Sequence, residues 1–178
     1  MDSRKNFSKI DIKDGGKIIT VQPGISVREI NNRLKPYGYK FGPDPASEIA
    51  ATVGGVIANN SSGMVCGTAE NAYKTILSAQ IIFSDGSTLD TAAPNAEACL
   101  KEVQPDLFDV IVTQKKRIDS SSEMKAEIER QYRGKNTMGY SLNAFVDFSS
   151  PVEILLHLMV GSEGTLAYIA EATFRTIP

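Results

Sequence analysis

Hydrophobic and polar positions alternate over two short stretches near the start of the chain. Ile18, Thr20 and Gln22 alternate with Ile19 and Val21, and residues 8–13 precede them across Asp14-Gly15-Gly16, a turn of the kind that closes a β-hairpin. The period then lengthens. Ser26-Val27-Arg28-Glu29 reads as a capping box that starts a helix with Ile30 and Leu34 facing inward and Gly38 ending it. Glu70 to Lys74 reads as a turn, Ile76 to Phe83 as a strand rich in branched residues, Ser84-Asp85-Gly86-Ser87 as a turn, and Thr88 to Thr91 as the returning strand of a second hairpin.

From Pro94 to about Glu129 the pattern is helical. Ala96 to Val103 is one helix, Pro105 to Arg117 a second with Leu107, Val110 and Ile111 on one face, and Ser120-x-x-Glu123 caps a third that runs to about Tyr132 and stops at Gly134. Ser150-Pro151-Val152-Glu153 starts an apolar helix through Met159. A final strand, Ala167 to Ile177, sets Tyr168, Ala170, Ala172 and Phe174 against Ile169, Glu171, Thr173 and Arg175. These elements predict an α+β fold, a mainly antiparallel or mixed sheet with helices on one face, and leave the sheet order open.

Composition narrows the class. With 178 residues, 42% hydrophobic and 22% charged, the chain is expected to be a single globular domain, and a net charge of −2 gives no electrostatic case for nucleic acid. No apolar run approaches the roughly 20 residues that span a bilayer, and Met1-Asp2-Ser3-Arg4-Lys5 leads into no signal-peptide core, so the expectation is a cytoplasmic protein, with peripheral membrane association left open. Cys66 and Cys99 have no metal-ligand spacing and read as small buried fillers. His157, the only histidine, reads as structural because the sequence places no carboxylate or nucleophile beside it. Lys125, Glu127, Glu129 and Arg130 read as a solvated helix face.

The stretch Gly42 to Gly67, GPDPASEIAATVGGVIANNSSGMVCG, breaks these patterns. Pro43 and Pro45 remove donors, and Gly54, Gly55, Gly63 and Gly67 remove side chains where something lies close to the backbone. Thr52 reads as the N-cap of a short apolar helix whose first amides are free for a diphosphate or a flavin carbonyl; tight helix packing explains the Gly-Gly pair equally well. Gly161-Ser162-Glu163-Gly164-Thr165-Leu166 is a second loop with amides and little bulk. It is not a Walker loop, since no lysine follows Gly164.

Together, PDPAS, ATVGGVIANNSSG and GSEGTL resemble the FAD-binding domain of the FAD-linked oxidases related to vanillyl-alcohol oxidase, within them the D-2-hydroxyacid dehydrogenase group. That group includes the D-lactate dehydrogenases, the glycolate oxidase flavoprotein subunit and D-2-hydroxyglutarate dehydrogenase. The resemblance runs from Val21-Gln22-Pro23-Gly24 to Thr176-Ile177-Pro178. It implies the second subdomain of an FAD-binding PCMH-type domain, with residues 94–134 as a helical insert. It places FAD against Pro43, Asp44, Ser47, Thr52, Gly54, Gly55, Ala58, Asn59, Asn60, Ser62, Gly63, Glu163, Gly164 and Ile169. Lys135-Asn136-Thr137-Met138-Gly139-Tyr140-Ser141-Leu142 resembles the family's KxNTxGYxL segment and reads either as cover for the flavin or as a turn. Ala167 stands where the family usually has glycine.

The family's Arg-Gly-Gly-Gly-Thr-Ser-like pyrophosphate loop and its substrate cap domain have no counterpart here, and Met1 to Ile10 resembles the end of the preceding subdomain. The expectation is therefore a piece of a larger flavoenzyme that oxidises a D-2-hydroxyacid by hydride transfer to FAD, with no catalytic residue of its own and with weak or no FAD retention. The resemblance implies as partners FAD, a small 2-hydroxyacid held by the cap domain, and a downstream iron–sulfur region or other electron acceptor; apolar surface exposed on a domain cut from its partner adds the expectation of a homodimer. The competing readings are a non-redox nucleotide-binding or interaction module and a UDP-N-acetylmuramate dehydrogenase-like enzyme; GSEGTL and ANNSSG argue against the latter.

Overall fold

The computed structural model describes residues 3–137 and 139–178, and the side chains from Lys5 onward. Met1, Asp2 and Met138, which the sequence reading touched, lie outside them.

Both hairpins form. β1 (Ile10–Lys13) pairs with β2 (Ile18–Val21), and β3 (Ile76–Ile82) pairs with β4 (Thr88–Asp90). The last strand, β5 (Tyr168–Arg175), lies between β2 and β3 and joins the hairpins into one sheet of order β1-β2-β5-β3-β4. Every pairing is antiparallel, so the mixed alternative falls away.

The alternation expected along the final strand is broken by a bulge. Gln80 pairs with Glu171 but Ile81 pairs with Ile169, which leaves Ala170 as the extra residue on β5 and reverses the strand's faces at that point. Ile169, Ala172 and Phe174 therefore share the core face, where strict period two predicted Tyr168, Ala170, Ala172 and Phe174. A second irregularity between Ile76 and Ser78 makes Leu77 the extra residue on β3, and its side chain is correspondingly exposed.

α1 (Ser3–Asn6) precedes the sheet, and α2 (Val27–Leu34) starts as its capping box predicts, Ser26 Oγ accepting from the Glu29 amide at 3.2 Å. α3 (Val53–Ala58) and α4 (Ala72–Thr75) are short helices in the connection to β3. α5 (Ala96–Val103), α6 (Pro105–Asp119) and α7 (Ser122–Gln131) fill the predicted helical region. The third cap is displaced by one residue: Ser121 Oγ accepts from the Met124 amide, while Ser120 closes α6 by donating to the Arg117 carbonyl. Adjacent serines offer two caps, and the helix takes the one whose backbone is extended, φ −124 and ψ 103.

α8 (Ala144–Asp147) leads to α9 (Pro151–Met159), in which seven residues from Val152 to Met159 are buried. An all-round apolar helix has to be enclosed on every side. α9 touches β3 as well as α5, α6 and α8, so it is the middle layer between the sheet and the outer helices. The sheet's other face carries Lys13, Ser78, Gln80, Glu171 and Thr173, with Thr20 and Thr173 bonded across strands at 3.0 Å. Helices thus cover one face, as expected.

Candidate functional site

The two glycine-bearing loops, remote in sequence, are bonded to each other. The Gly161 amide donates to the Ile57 carbonyl at 2.9 Å, and the Glu163 amide to the Ala58 carbonyl at 2.8 Å. The chain reaches these contacts through left-handed turns at Asn60, Gly161, Glu163 and Gly164, with φ of 49, 91, 53 and 75. The 139–142 segment clamps the second loop. Ser141 Oγ donates to the Val160 carbonyl at 2.8 Å, and the Tyr140 hydroxyl lies 2.7 Å from Thr165 Oγ1. Lys135 Nζ closes the ring of loops on the Ser62 carbonyl at 3.2 Å.

Along this seam lies a cleft of about 270 Å³ that Thr52, Gly54, Gly55, Ala58, Gly164 and Ile169 share. Six of the fourteen residues singled out from sequence therefore meet in one place. Asn59, Ser62 and Glu163 line a more open hollow with Pro45 and Lys135, and Asn60 and Ser62 line a separate cavity under α7 and α8. Pro43 is buried, Ser47 is exposed with its carbonyl taken by the Ala50 and Ala51 amides, and neither lines the cleft.

Asp44 and Gly63 also stay outside the cleft and face each other. Asp44 accepts the amides of Gly63, Val65 and Cys66 at 2.9, 3.0 and 3.2 Å. A Cβ on Gly63 would collide with the Asp44 carbonyl oxygen. Burial works to raise the Asp44 carboxyl, but hydrogen bonds from the Cys66 side chain and from these amides outweigh it and hold the group below the usual carboxylate range. Burial, then the neighbouring Asp44, pushes the Cys66 thiol up. Cys66 is buried as expected; Cys99 is only half-buried.

The expectation of free amides at the start of α3 is corrected. The Val53 amide donates to Ile25 and the Gly54 amide to Pro23, at 3.0 and 2.9 Å, and Thr52 makes no side-chain cap. A Cβ on Gly54 would stand 2.9 Å from Pro23 Cβ, so Gly54 serves helix packing. Gly55 differs: its missing side chain would meet nothing closer than Thr52 Oγ1 at 3.7 Å, and that of Gly164 meets nothing within 4 Å. In the second loop the Gly161, Ser162, Glu163 and Thr165 amides all have carbonyl partners, while the Gly164 amide has none among the described residues. The cleft is thus mostly a shape, with few donors.

Sequence reasoning missed Pro23, Met159, Ser162 and Tyr168 as cleft-lining residues. The Tyr168 hydroxyl is buried without a partner among the described residues, and burial raises its pKa. Its position directly after GSEGTLA was the available signal; the unseen bulge obscured which way the strand faced.

His157, read from the sequence as structural, is buried and does not line the cleft. Its Nδ1 lies 2.8 Å from the Glu153 carbonyl, and its ring stacks on Phe148 at 3.9 Å and meets Tyr73 edge-on at 4.9 Å. Burial holds its pKa below the ordinary value, against the opposing pull of the Glu153 carbonyl and Asp147.

Residues 1–92 match the family model described as "FAD binding domain". The chain belongs to the FAD-binding domain family. FAD is the cofactor of that family, and the geometry fits it: Gly55 and Gly164 leave open space on a shared cleft, and the Gly164 amide has no partner among the described residues. The domain is 30% identical to D-2-hydroxyglutarate dehydrogenase of Haemophilus influenzae over 177 residues, covering 96% of this chain and 17% of that protein. It is 25% identical to D-lactate dehydrogenase of Archaeoglobus fulgidus, covering 99% and 28%. It is 31% identical to glycolate oxidase subunit GlcD of Escherichia coli, covering 45% and 16%. The chain thus spans between 16% and 28% of these relatives. Among solved structures, alkyldihydroxyacetonephosphate synthase shares the fold of this FAD-binding domain at a TM-score of 0.55 and 20% identity, over 99% of this chain and 22% of that one. Among the described residues no helix is long and apolar enough to cross a membrane.

Proposed function

We propose that the cleft between α3 and the 161–166 loop is one wall of the FAD site of a flavin-dependent oxidoreductase that acts on a D-2-hydroxyacid. The reading rests on the shared lining of that cleft by Gly55 and Gly164, and is supported by relatives named as dehydrogenases or oxidases of 2-hydroxyglutarate, lactate and glycolate. FAD, when bound, accepts the hydride taken from the carbon that bears the hydroxyl.

The chain's own share is to bind and to exclude water. Gly55 and Gly164 let a flat surface lie against the backbone, and the Gly164 amide is available to a ligand oxygen. Ile169 and Met159 give the cleft an apolar floor. No described residue is assigned the base. His157, the natural candidate by type, has Nδ1 on the Glu153 carbonyl and its ring packed between Tyr73 and Phe148. The remaining sequence-based residues, Pro43, Asp44, Ser47, Asn59, Asn60, Ser62, Gly63 and Glu163, act in this reading by shaping the loops. The 2-hydroxyacid, the electron acceptor and a second copy of the chain are its proposed partners, and the cytoplasm its proposed place.

Titration of the 178-residue chain with FAD, followed by flavin fluorescence, tests this. Weak binding is expected, and Gly55→Leu should reduce it by about tenfold or more while the chain stays folded, because the added bulk enters the cleft and not the core. FAD binding that is indifferent to Gly55→Leu overturns the assignment.

A further inference from the structure

The sheet has two edges, β1 and β4, and they are finished differently. β4 has three residues, α5 packs against it, and the Thr88 carbonyl accepts from Cys99 Sγ at 3.9 Å. Among the described residues, hydrogen bonds to 8–13 run only to 18–22, within the first hairpin.

The phase of the pairing shows which backbone groups the β1 edge offers. The Gln22 amide donates to the Lys9 carbonyl and the Gly24 amide to the Phe7 carbonyl, at 3.0 and 2.6 Å, so the register of β1 continues back to Phe7. On the other side of β2 the Thr176 amide donates to the Lys17 carbonyl, and Ile19 and Val21 follow the same phase against β5. Residues 18, 20 and 22 therefore direct their backbone groups to β1, and Phe7, Lys9, Asp11 and Lys13 direct theirs to β2. Ser8, Ile10 and Ile12 turn their N–H and C=O groups outward, as a template for another strand.

Charge selects the strand that fits. Lys9, Asp11 and Lys13 are exposed and alternate with Ile10 and Ile12, which are only half-buried. Two antiparallel copies of this edge exchange bonds only where outward residues face outward residues, in registers centred on Ile10, Asp11 or Ile12. Centring on Asp11 sets aspartate against aspartate and Lys9 against Lys13. Centring on Ile12 runs within two residues into Asp14, whose φ of 49 ends the strand. Centring on Ile10 sets Lys9 opposite Asp11 twice over and lets 7–13 pair along their whole length, with the charges in the pairs where side chains lie closest. The Asp11–Lys13 ion pair within β1, 3.3 Å long with both ends more than half exposed, is exchanged at little cost. A lysine on an edge ordinarily keeps a second copy away. Here the aspartate two residues on converts it into a match.

We propose that the β1 edge is the surface through which two copies of this chain pair, antiparallel about Ile10, joining their sheets into one. Residues 7–13 are separate from those lining the cleft assigned to FAD, and the pairing does not rest on that assignment.

Sedimentation equilibrium of the 178-residue chain from about 10 µM to about 1 mM tests it. A weak monomer–dimer equilibrium is expected, since so short an edge buries less than a stable interface does. Asp11→Lys should weaken self-association about tenfold or more, and so should Lys9→Asp combined with Lys13→Asp. An equimolar mixture of the two variants should restore the dimer, which also shows that both fold. Lys9→Ala should weaken dimerisation about fivefold, and Lys13→Ala should change it less than about twofold. A chain that stays monomeric throughout overturns the proposal and leaves the edge lysines as protection against pairing. So does a dimer that Asp11→Lys leaves intact, a mixture that stays monomeric, or a dimer more sensitive to Lys13→Ala than to Lys9→Ala.

Discussion

The glycine cleft and the polar cavity under α7 and α8 share one run of chain, Ala58 lining the first and Asn60 and Ser62 the second, yet they are made of different material. The cleft is defined by backbone: two loops bonded carbonyl to amide, with side chains withheld at Gly55 and Gly164. The cavity is defined by side-chain heads projecting from helices and loops that are themselves well packed. A hollow of the first kind is damaged by adding atoms, one of the second kind by removing them.

Leu155→Ala should show the largest effect, since it strikes beneath both. Leu155 is fully buried on α9, which brings Met159 to the cleft and backs α8 behind the cavity. A loss of about 3 kcal/mol in urea unfolding is expected, with one transition for probes in either region. Two transitions would show that cleft and cavity belong to separately unfolding units. Asp147→Ala should come next, at about 2 kcal/mol, because it leaves the Tyr73 hydroxyl buried without its acceptor. Its counterpart in the cleft, Gly164→Ala, meets no neighbouring atom and should cost only about 1 kcal/mol, from the backbone angle of φ 75 alone. If Gly164→Ala proves the more damaging of the two to stability, the Gly164 side of the cleft is packed and not open.

The pH response should divide the two regions most finely. His157 packs behind the cavity, and its folded pKa lies below the unfolded value, so between the two values the unfolded chain binds more protons. Its contribution is therefore complete above about pH 6.5 and is lost as pH falls through the folded value. Asp44 braces the loop that leads from α3, and its folded pKa is likewise lowered, so its contribution holds above about pH 4 and is lost only in stronger acid. Unfolding free energies taken at intervals from pH 7 to pH 3 should fall in two stages, and Asp44→Asn should diminish the lower stage, which Asp85 and Glu127 share, and leave the upper one. A single stage would mean that one of the two groups is not coupled to folding.

Much of the fold was legible because its signals are local. The capping serines before α2 and α9 and the Gly-bearing turns of both hairpins each act within four residues, and each element formed where they pointed. The position of β5 depends on pairing with β2 and β3, and its bulge on a mismatch between facing strands, neither of which a pattern along one strand contains. The convergence of the two glycine loops was readable from their motifs taken together. Which glycine opens onto the cleft was not, since Gly54 and Gly55 are neighbours and only Pro23, arriving from another segment, distinguishes them. The polar cavity was invisible for the same reason: Asn60, Lys74, Arg133 and Asn143 have no common motif and meet only in space.

The placement of β5 also bears on how the molecule assembles. The strand that comes last in sequence is the one on which both hairpins converge, so neither can find its neighbour until that late segment has arrived. Such distant pairings are slow to make, and apolar strand faces stay uncovered meanwhile. Any change that weakens the grip of Phe174 or Ala172 should therefore surface first as aggregation during synthesis, before it is seen in the finished protein.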